Sequence, residues 1–458
     1  MSVGKSPAEL GQADIRKLLI SYSIPTIVAL IASSVYNIID SVFIGHKVGA
    51  LAIAAMTITL PLMNIAAAFG AMVGAGGSTL ITIKMGQKDD QGAAHVLGNI
   101  AVLNVILGVF IMLVGLIFMK PIAILFGASA STWPYVRDFM TVILIGNVGT
   151  HLYFGLNNAM RSAGNPRKAM NMTLLTVLFN LILAPIFIFV FEWGIRGAAL
   201  ATVLSQTVSL VLIVRHFLDS RQFLHFQRFA FRLRQSIVKG ILSIGISPFL
   251  LNICSCLVVI LINRQLASYG GDYAIGAYGN VNKILMLFAM VVMGINQGMQ
   301  PIAGYNFGAK QYGRVTEVLK TAIFFASSVM ITAFLVCEFF SHQIMMAFTS
   351  DERMIADSAF GLRITVATFP IVGFQMVTST FFQSIGKAAW AAFLSTTRQM
   401  LFLIPMILLL PHLLGQTGIW VSMPVADTLS SIVTAILLIY QFRKFKKMDE
   451  SSVFHSKS

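Results

Sequence analysis

Asp40 stands at the end of a charge-free run, Leu18 to Ile39, and is followed by Ser41-Val-Phe-Ile-Gly45, so apolar sequence flanks a carboxylate on both sides. An aspartate near the middle of a membrane helix costs roughly 2.5–3.5 kcal/mol on insertion scales, which makes it a functional candidate by default. Ser33, Tyr36, Asn37 and Asp40 follow the spacing i, i+3, i+4, i+7 and share one helical face. The same spacing places Thr173, Thr176 and Asn180 on a second face, and Thr202, Ser205, Gln206 and Ser209 on a third. Three such stripes are expected to meet in one polar cavity. Hydroxyls also bond the carbonyls of their own helix and glue helices together, whereas Asp40 and Asn180 are harder to hide.

The second half of the chain is furnished differently. Met293, Asn296, Gln297 and Gln300 form one stripe, Gln375, Thr378, Ser379 and Gln383 another, with Asn252 and Ser255 on a third segment. Neutral amides dominate, and Met286, Met290 and Met293 share a face in a chain with 24 Met and 35 Phe. Thioethers repack around ligands of different shape, and aromatic faces bind cations. The substrate-cavity candidates are Tyr36, Asn37, Gln206, Met293, Gln297, Gln300, Gln375 and Gln383. Of the charged residues here, Glu338 is expected near an interface, and Arg398 and Asp427 are expected to form a structural pair.

The elements that position these groups are membrane spans. The 458 residues are 57% hydrophobic and 11% charged, far from a soluble composition. Apolar runs long enough to cross a bilayer recur along the chain, among them 48–83, 169–191, 240–263, 284–309 and 364–386. They predict an all-α integral membrane protein of about twelve spans; the runs are too long and too unalternating for a barrel. Most Lys and Arg fall to one side under this count, and by the positive-inside rule residues 219–239 and the basic tail, 443–458, are cytoplasmic, as is the N-terminal segment, 1–17. The first apolar segment lacks a short core with a small-residue cleavage site and is read as a retained span. The net charge of +15 is thus a topology signal, and no nucleic-acid partner is expected. Cys254, Cys256 and Cys337 lie in apolar stretches, and the histidines are scattered, so neither a disulfide framework, a metal centre nor an enzyme is expected. No phosphate-binding loop is present, so ATP hydrolysis is not expected.

The chain is duplicated. Ser162-Ala-Gly164 and Ser384-Ile-Gly386 lie 222 residues apart, and the same spacing relates Gly76 to Gly298, Gly86 to Gly308, Lys88 to Lys310 and Leu97 to Leu319. This predicts two similar six-helix lobes, 18–218 and 240–442, joined by the basic linker 219–239. An even number of spans in each gives both repeats one orientation, with a pseudo-two-fold axis along the membrane normal, as in carriers whose bundles rock against each other.

Several motifs carry a resemblance over nearly the whole chain: Asp40-Ser-Val-Phe-Ile-Gly45, Gly74-Ala-Gly-Gly-Ser78 leading to Lys84-Met-Gly-Gln-Lys88, and Met160-Arg-Ser-Ala-Gly-Asn-Pro166. In the second half they are Gln300-Pro-Ile-Ala-Gly-Tyr-Asn-Phe-Gly-Ala309 and Phe382-Gln-Ser-Ile-Gly386. Together they resemble the multidrug and toxic compound extrusion (MATE) transporters, within a group that also holds lipid and polysaccharide flippases. The resemblance implies a V-shaped pair of six-helix lobes that acts as a monomer in the cell membrane, exporting amphiphilic organic cations in exchange for Na⁺ or H⁺ without a cofactor. Its alternative within the group is a flippase for a lipid-linked oligosaccharide. The family's ion ligands carry over to Asp40, Asn180 and Thr202, where Na⁺ would bind if it is the coupling ion. Relatives often place a second acid in the motif Asn-x-x-x-Asp-Pro; here it reads Asn180-Leu-Ile-Leu-Ala184-Pro185, with alanine in that place.

Overall fold

The computed structural model describes residues 8–455. Among the described residues there is no strand, and eleven helices are long and apolar enough to cross a membrane; a bent pair makes up to twelve spans. In order they are α1 (Ile15–Lys47), α2 (Ala50–Gly86), α3 (Asp90–Ile117), α4 (Trp133–Ser162), α5 (Pro166–Pro185) and α6 (Gly194–Leu218). There follow α7 (Gln235–Gly271), α8 (Tyr273–Gly308), α9 (Tyr312–Met346), the bent pair α10 (Glu352–Val366) and α11 (Phe369–Ser384), α12 (Ala388–Leu414) and α13 (Gln416–Lys446). The expected all-α membrane architecture is therefore present.

Prolines act on these helices in different ways. Helices α1, α2 and α13 run through Pro25, Pro61 and Pro424. Pro185 has no N–H to offer the carbonyl one turn earlier, and a wide π-helical turn, Ile186–Val190, follows it directly. Another π-helical segment, Thr397–Leu403, precedes Pro405 within α12. Between α10 and α11 the span bends by 57° at Ala367-Thr368, and Pro370 lies in the first turn of α11.

The duplication is written into the backbone. Three pairs at the 222-residue spacing adopt positive φ: Gly49 and Gly271 (98° and 63°), Lys88 and Lys310 (59° and 60°), and Gly164 and Gly386 (92° and 71°). Each reverses the chain between successive spans. Lysine rarely takes this conformation, so its recurrence at both copies marks one inherited turn.

The chain forms two compact units. Of the described residues, the first comprises 8–12 and 28–252, the second 13–27 and 253–455. In the first unit α2 and α7 touch backbone to backbone: a Cβ on Gly76 would meet the Ile241 carbonyl oxygen at 2.1 Å, and one on Gly245 the Met72 oxygen at 1.9 Å. In the second unit Gly298 of α8 plays the part of Gly76, its missing Cβ falling 2.8 Å from the Ser23 backbone nitrogen of α1. Ser23 and Gly245 are themselves 222 residues apart, so one close helix crossing is built twice.

Candidate functional site

Asp40 lies within the first unit and is 7% exposed. Below it α1 contributes Ile44 to an apolar cluster with Ala184, Ile188, Ala198 and Ala201. Ala184 is fully buried there, so the place of the relatives' second acid is filled by apolar packing. Above this floor α5 presents Asn180, 1% exposed, and α6 presents Thr202. With its amide set to satisfy both neighbours, Asn180 donates to Asp40 Oδ1 at 2.9 Å and Oδ2 at 3.3 Å, and its oxygen accepts from Thr202 Oγ1 at 3.2 Å. Three helices thus meet in one chain of hydrogen bonds, and the carboxylate's partner in it is the neutral Asn180 amide, not a cation.

The remaining polar stripes of this unit bond across helices as well. Thr176 Oγ1 donates to Ser209 Oγ at 2.7 Å, and Ser209 Oγ donates to the Met172 carbonyl at 3.1 Å. Thr150 Oγ1 of α4 donates to Gln206 Oε1 at 2.5 Å, while Asn157 Nδ2 donates to Thr173 Oγ1 at 3.1 Å. Tyr36 is half-buried and within electrostatic reach of Asp40 and Tyr153. Asn37 is exposed and donates to the Ser33 carbonyl of its own helix at 2.8 Å. Missing from the sequence-derived stripes are the residues of α4, Thr150, Tyr153 and Asn157. They stand at i, i+3, i+7 and so share one face of α4; the spacing signal was in the sequence, and the partners on α5 and α6 show that it is used.

In the second unit Arg398 Nε donates to Asp427 Oδ1 at 2.5 Å, and Thr368 Oγ1 donates to Asp427 Oδ2 at 3.3 Å. Asp427 is 3% exposed; unlike Asp40, it is neutralised by a guanidinium. Gln375 Nε2 donates to Ser430 Oγ at 2.8 Å, Gln399 Nε2 to Ser255 Oγ at 2.9 Å, and Asn296 Nδ2 to the Met376 carbonyl at 3.4 Å. The amide oxygens of all three are buried and accept no hydrogen bond from the protein. Gln300 and Gln383 are buried, Gln297 is half-buried, and Met293 is 44% exposed. Among the described residues no three His, Cys, Asp or Glu side chains gather into a metal-binding group.

Comparison with known proteins agrees with this architecture. The sequence family described as MatE matches residues 25–186 and 244–409, one stretch in each half. The multidrug export protein MepA of Staphylococcus haemolyticus is 27% identical over 442 residues, covering 96% of this chain and 97% of that protein. MepA of Staphylococcus aureus is 27% identical over 437 residues, covering 95% and 96%. Among solved structures, an outward-facing multidrug resistance MATE family transporter of the MOP superfamily superposes with a TM-score of 0.91 at 23% identity, covering 97% of this chain and all of that one. A MATE structure in the bent conformation gives the same TM-score and identity. At that identity the structural likeness is one of fold.

Proposed function

Because the chain belongs to the MatE family, we propose that it is a secondary active multidrug efflux antiporter, exporting lipophilic organic cations in exchange for Na⁺ or H⁺ taken up at Asp40. The observation that carries this reading is the Asp40–Asn180–Thr202 cluster, whose amide has two serviceable orientations. With nitrogen toward Asp40 it donates to the ionised carboxylate at 2.9 and 3.3 Å. Turned over, it places its nitrogen 3.2 Å from Thr202 Oγ1 and its oxygen toward Asp40. Two facing oxygens repel unless a cation stands between them. A proton on Asp40, donated to the Asn180 oxygen, satisfies that arrangement, and so does Na⁺, a hard ion that takes oxygen ligands. The Thr202 hydroxyl donates in one state and accepts in the other, so either amide orientation is completed. Loading and release of the coupling ion is thereby registered as a change of hydrogen bonding between α1 and α5.

Binding of the exported cation is assigned to the second unit's buried amide oxygens of Asn296, Gln375 and Gln399, which are free to accept from a cationic or hydrogen-bond-donating substrate. The similarity to MepA, a multidrug export protein in its staphylococcal hosts, supports a broad substrate range, and the basic linker and tail support cytoplasmic termini. Purified protein in liposomes, loaded with a fluorescent organic cation and given first an isolated Na⁺ gradient and then an isolated pH gradient, tests the reading. Export driven by one gradient is expected; export driven by neither would refute antiport.

A further inference from the structure

The second unit carries a membrane-facing groove that neither ion coupling nor the amide site uses. It is an open cavity of about 710 Å³ between α9 and α10, with Glu338, Ser341 and His342 on one wall and Phe360 and Arg363 on the other. At its centre Arg363 Nε and Nη2 both lie 2.8 Å from Glu338 Oε1. These contacts converge on one carboxylate oxygen, which leaves Oε2 and the second guanidinium nitrogen, Nη1, with hydrogen-bonding capacity in two side chains that line the groove.

Depth and surroundings indicate what reaches it. Helix α9 has 35 residues with a break at Phe340; the stretch before the break alone runs about 42 Å and overshoots a hydrocarbon core of about 30 Å. Glu338 sits about two turns before its end at Met346, and His342 about one turn before it. This is the level where acyl chains give way to headgroups. Three spans separate this end of α9 from the basic linker 219–239, so the groove lies on the opposite face of the membrane. Around it Leu335, Phe339, Phe340 and Phe360 are exposed, a surface suited to acyl chains.

The groove belongs to the second half alone. Phe118 and Phe340 lie at the repeat spacing and mark the same helix break, with φ of −101° and −117°. In that register Glu338 corresponds to Leu116 and Arg363 to Thr141. The small walls Ala356, Ala359 and Ala367 correspond to Pro134, Arg137 and Ile145. The inherited fold therefore does not require the charged pair, and three alanines open space beside it.

We propose that this groove binds the headgroup of a phospholipid that carries both a phosphate and a primary ammonium group. The phosphate lies against Arg363 and His342, the ammonium donates to Glu338 Oε2, and the acyl chains follow the exposed phenylalanines. An ammonium with N–H groups is required, because a trimethylated one cannot donate to the carboxylate.

The test is native mass spectrometry of the delipidated full chain, titrated with phosphatidylethanolamine or phosphatidylcholine of identical acyl chains. One charge-assisted hydrogen bond predicts roughly tenfold tighter retention of the ethanolamine lipid. Glu338→Gln should erase most of that preference, while Arg363→Gln should weaken both lipids. Equal retention of the two lipids by the unaltered protein would overturn the proposal, whatever the variants do. So would a preference that Glu338→Gln leaves unchanged, or water-soluble phosphoethanolamine competing as well as the lipid at equal concentration. Transport does not enter the readout, so the result is independent of the antiport reading.

Discussion

Asp40 and Asp427 are both buried aspartates in membrane helices, one in each half of a duplicated chain, and their surroundings are opposite. Asp427 meets Arg398 at 2.5 Å and a threonine hydroxyl, so its charge is cancelled where it stands. Asp40 meets an amide that is itself held by a threonine, with an apolar floor of Ile44 and Ala184 beneath. A neutralised acid has little reason to take up a cation. An acid with only neutral donors can bind one and let it go. Burial of a carboxylate therefore does not by itself mark a coupling site, and the proposed role of Asp40 rests on the charge of its nearest partner.

The contrast can be broken most forcefully at Arg398. Arg398→Met strands a buried carboxylate, and a loss of about 3–5 kcal/mol of stability is expected. It should appear as a large drop in thermal midpoint, recovered when Asp427→Leu is added, because a buried pair replaced by apolar groups is often neutral. Failure of that recovery would give the pair a role beyond mutual neutralisation. Asn180→Ala removes hydrogen bonds to a charged group worth about 1.5–3 kcal/mol. It should lower the initial rate of gradient-driven export by at least about tenfold, with the folded fraction preserved in size-exclusion profiles. Thr202→Val acts one bond further from the carboxylate and should weaken ion dependence by about 0.5–1.5 kcal/mol, read as a modest rise in the half-saturating ion concentration.

The smallest effect lies at the turn between α2 and α3. Lys84 pairs with Asp89 at 2.8 Å, and Asp89 also accepts from the Gly92 N–H at the start of α3. The lysine holds this carboxyl below its usual range, so its contribution is present at neutral pH and is lost as pH falls below about 4. Asp89→Asn should cost less than about 1 kcal/mol, as expected of an exposed pair, and should flatten the acid limb of a thermal stability profile. The corresponding turn of the second half uses Asn306 and Arg314, joined at 3.0 Å, and should lack that acid limb.

Much of this was legible in the residues. Helical spacing placed Ser33, Tyr36, Asn37 and Asp40 on one face, and a long apolar run demands a helix whatever surrounds it. The repeat was visible because turns that need positive φ restrict residue choice, as at Gly164 and Gly386. Partner choice was less legible. Asn37 lies on the Asp40 face yet bonds its own helix and is exposed, since a face spans more of the helix than a neighbour covers. The groove at Glu338 and Arg363 was hidden for a related reason. Its space comes from Ala356, Ala359 and Ala367, and small side chains carry no chemical signal until the opposing wall is known.

The most direct measurement compares Asp40→Asn with the double substitution Arg398→Met, Asp427→Leu in liposomes, following organic-cation export under the gradient that drives the unaltered protein. The account predicts that Asp40→Asn abolishes gradient-driven export while organic-cation binding persists, and that the double variant still exports. Undiminished export by Asp40→Asn, or loss of coupling in a folded double variant, would contradict it.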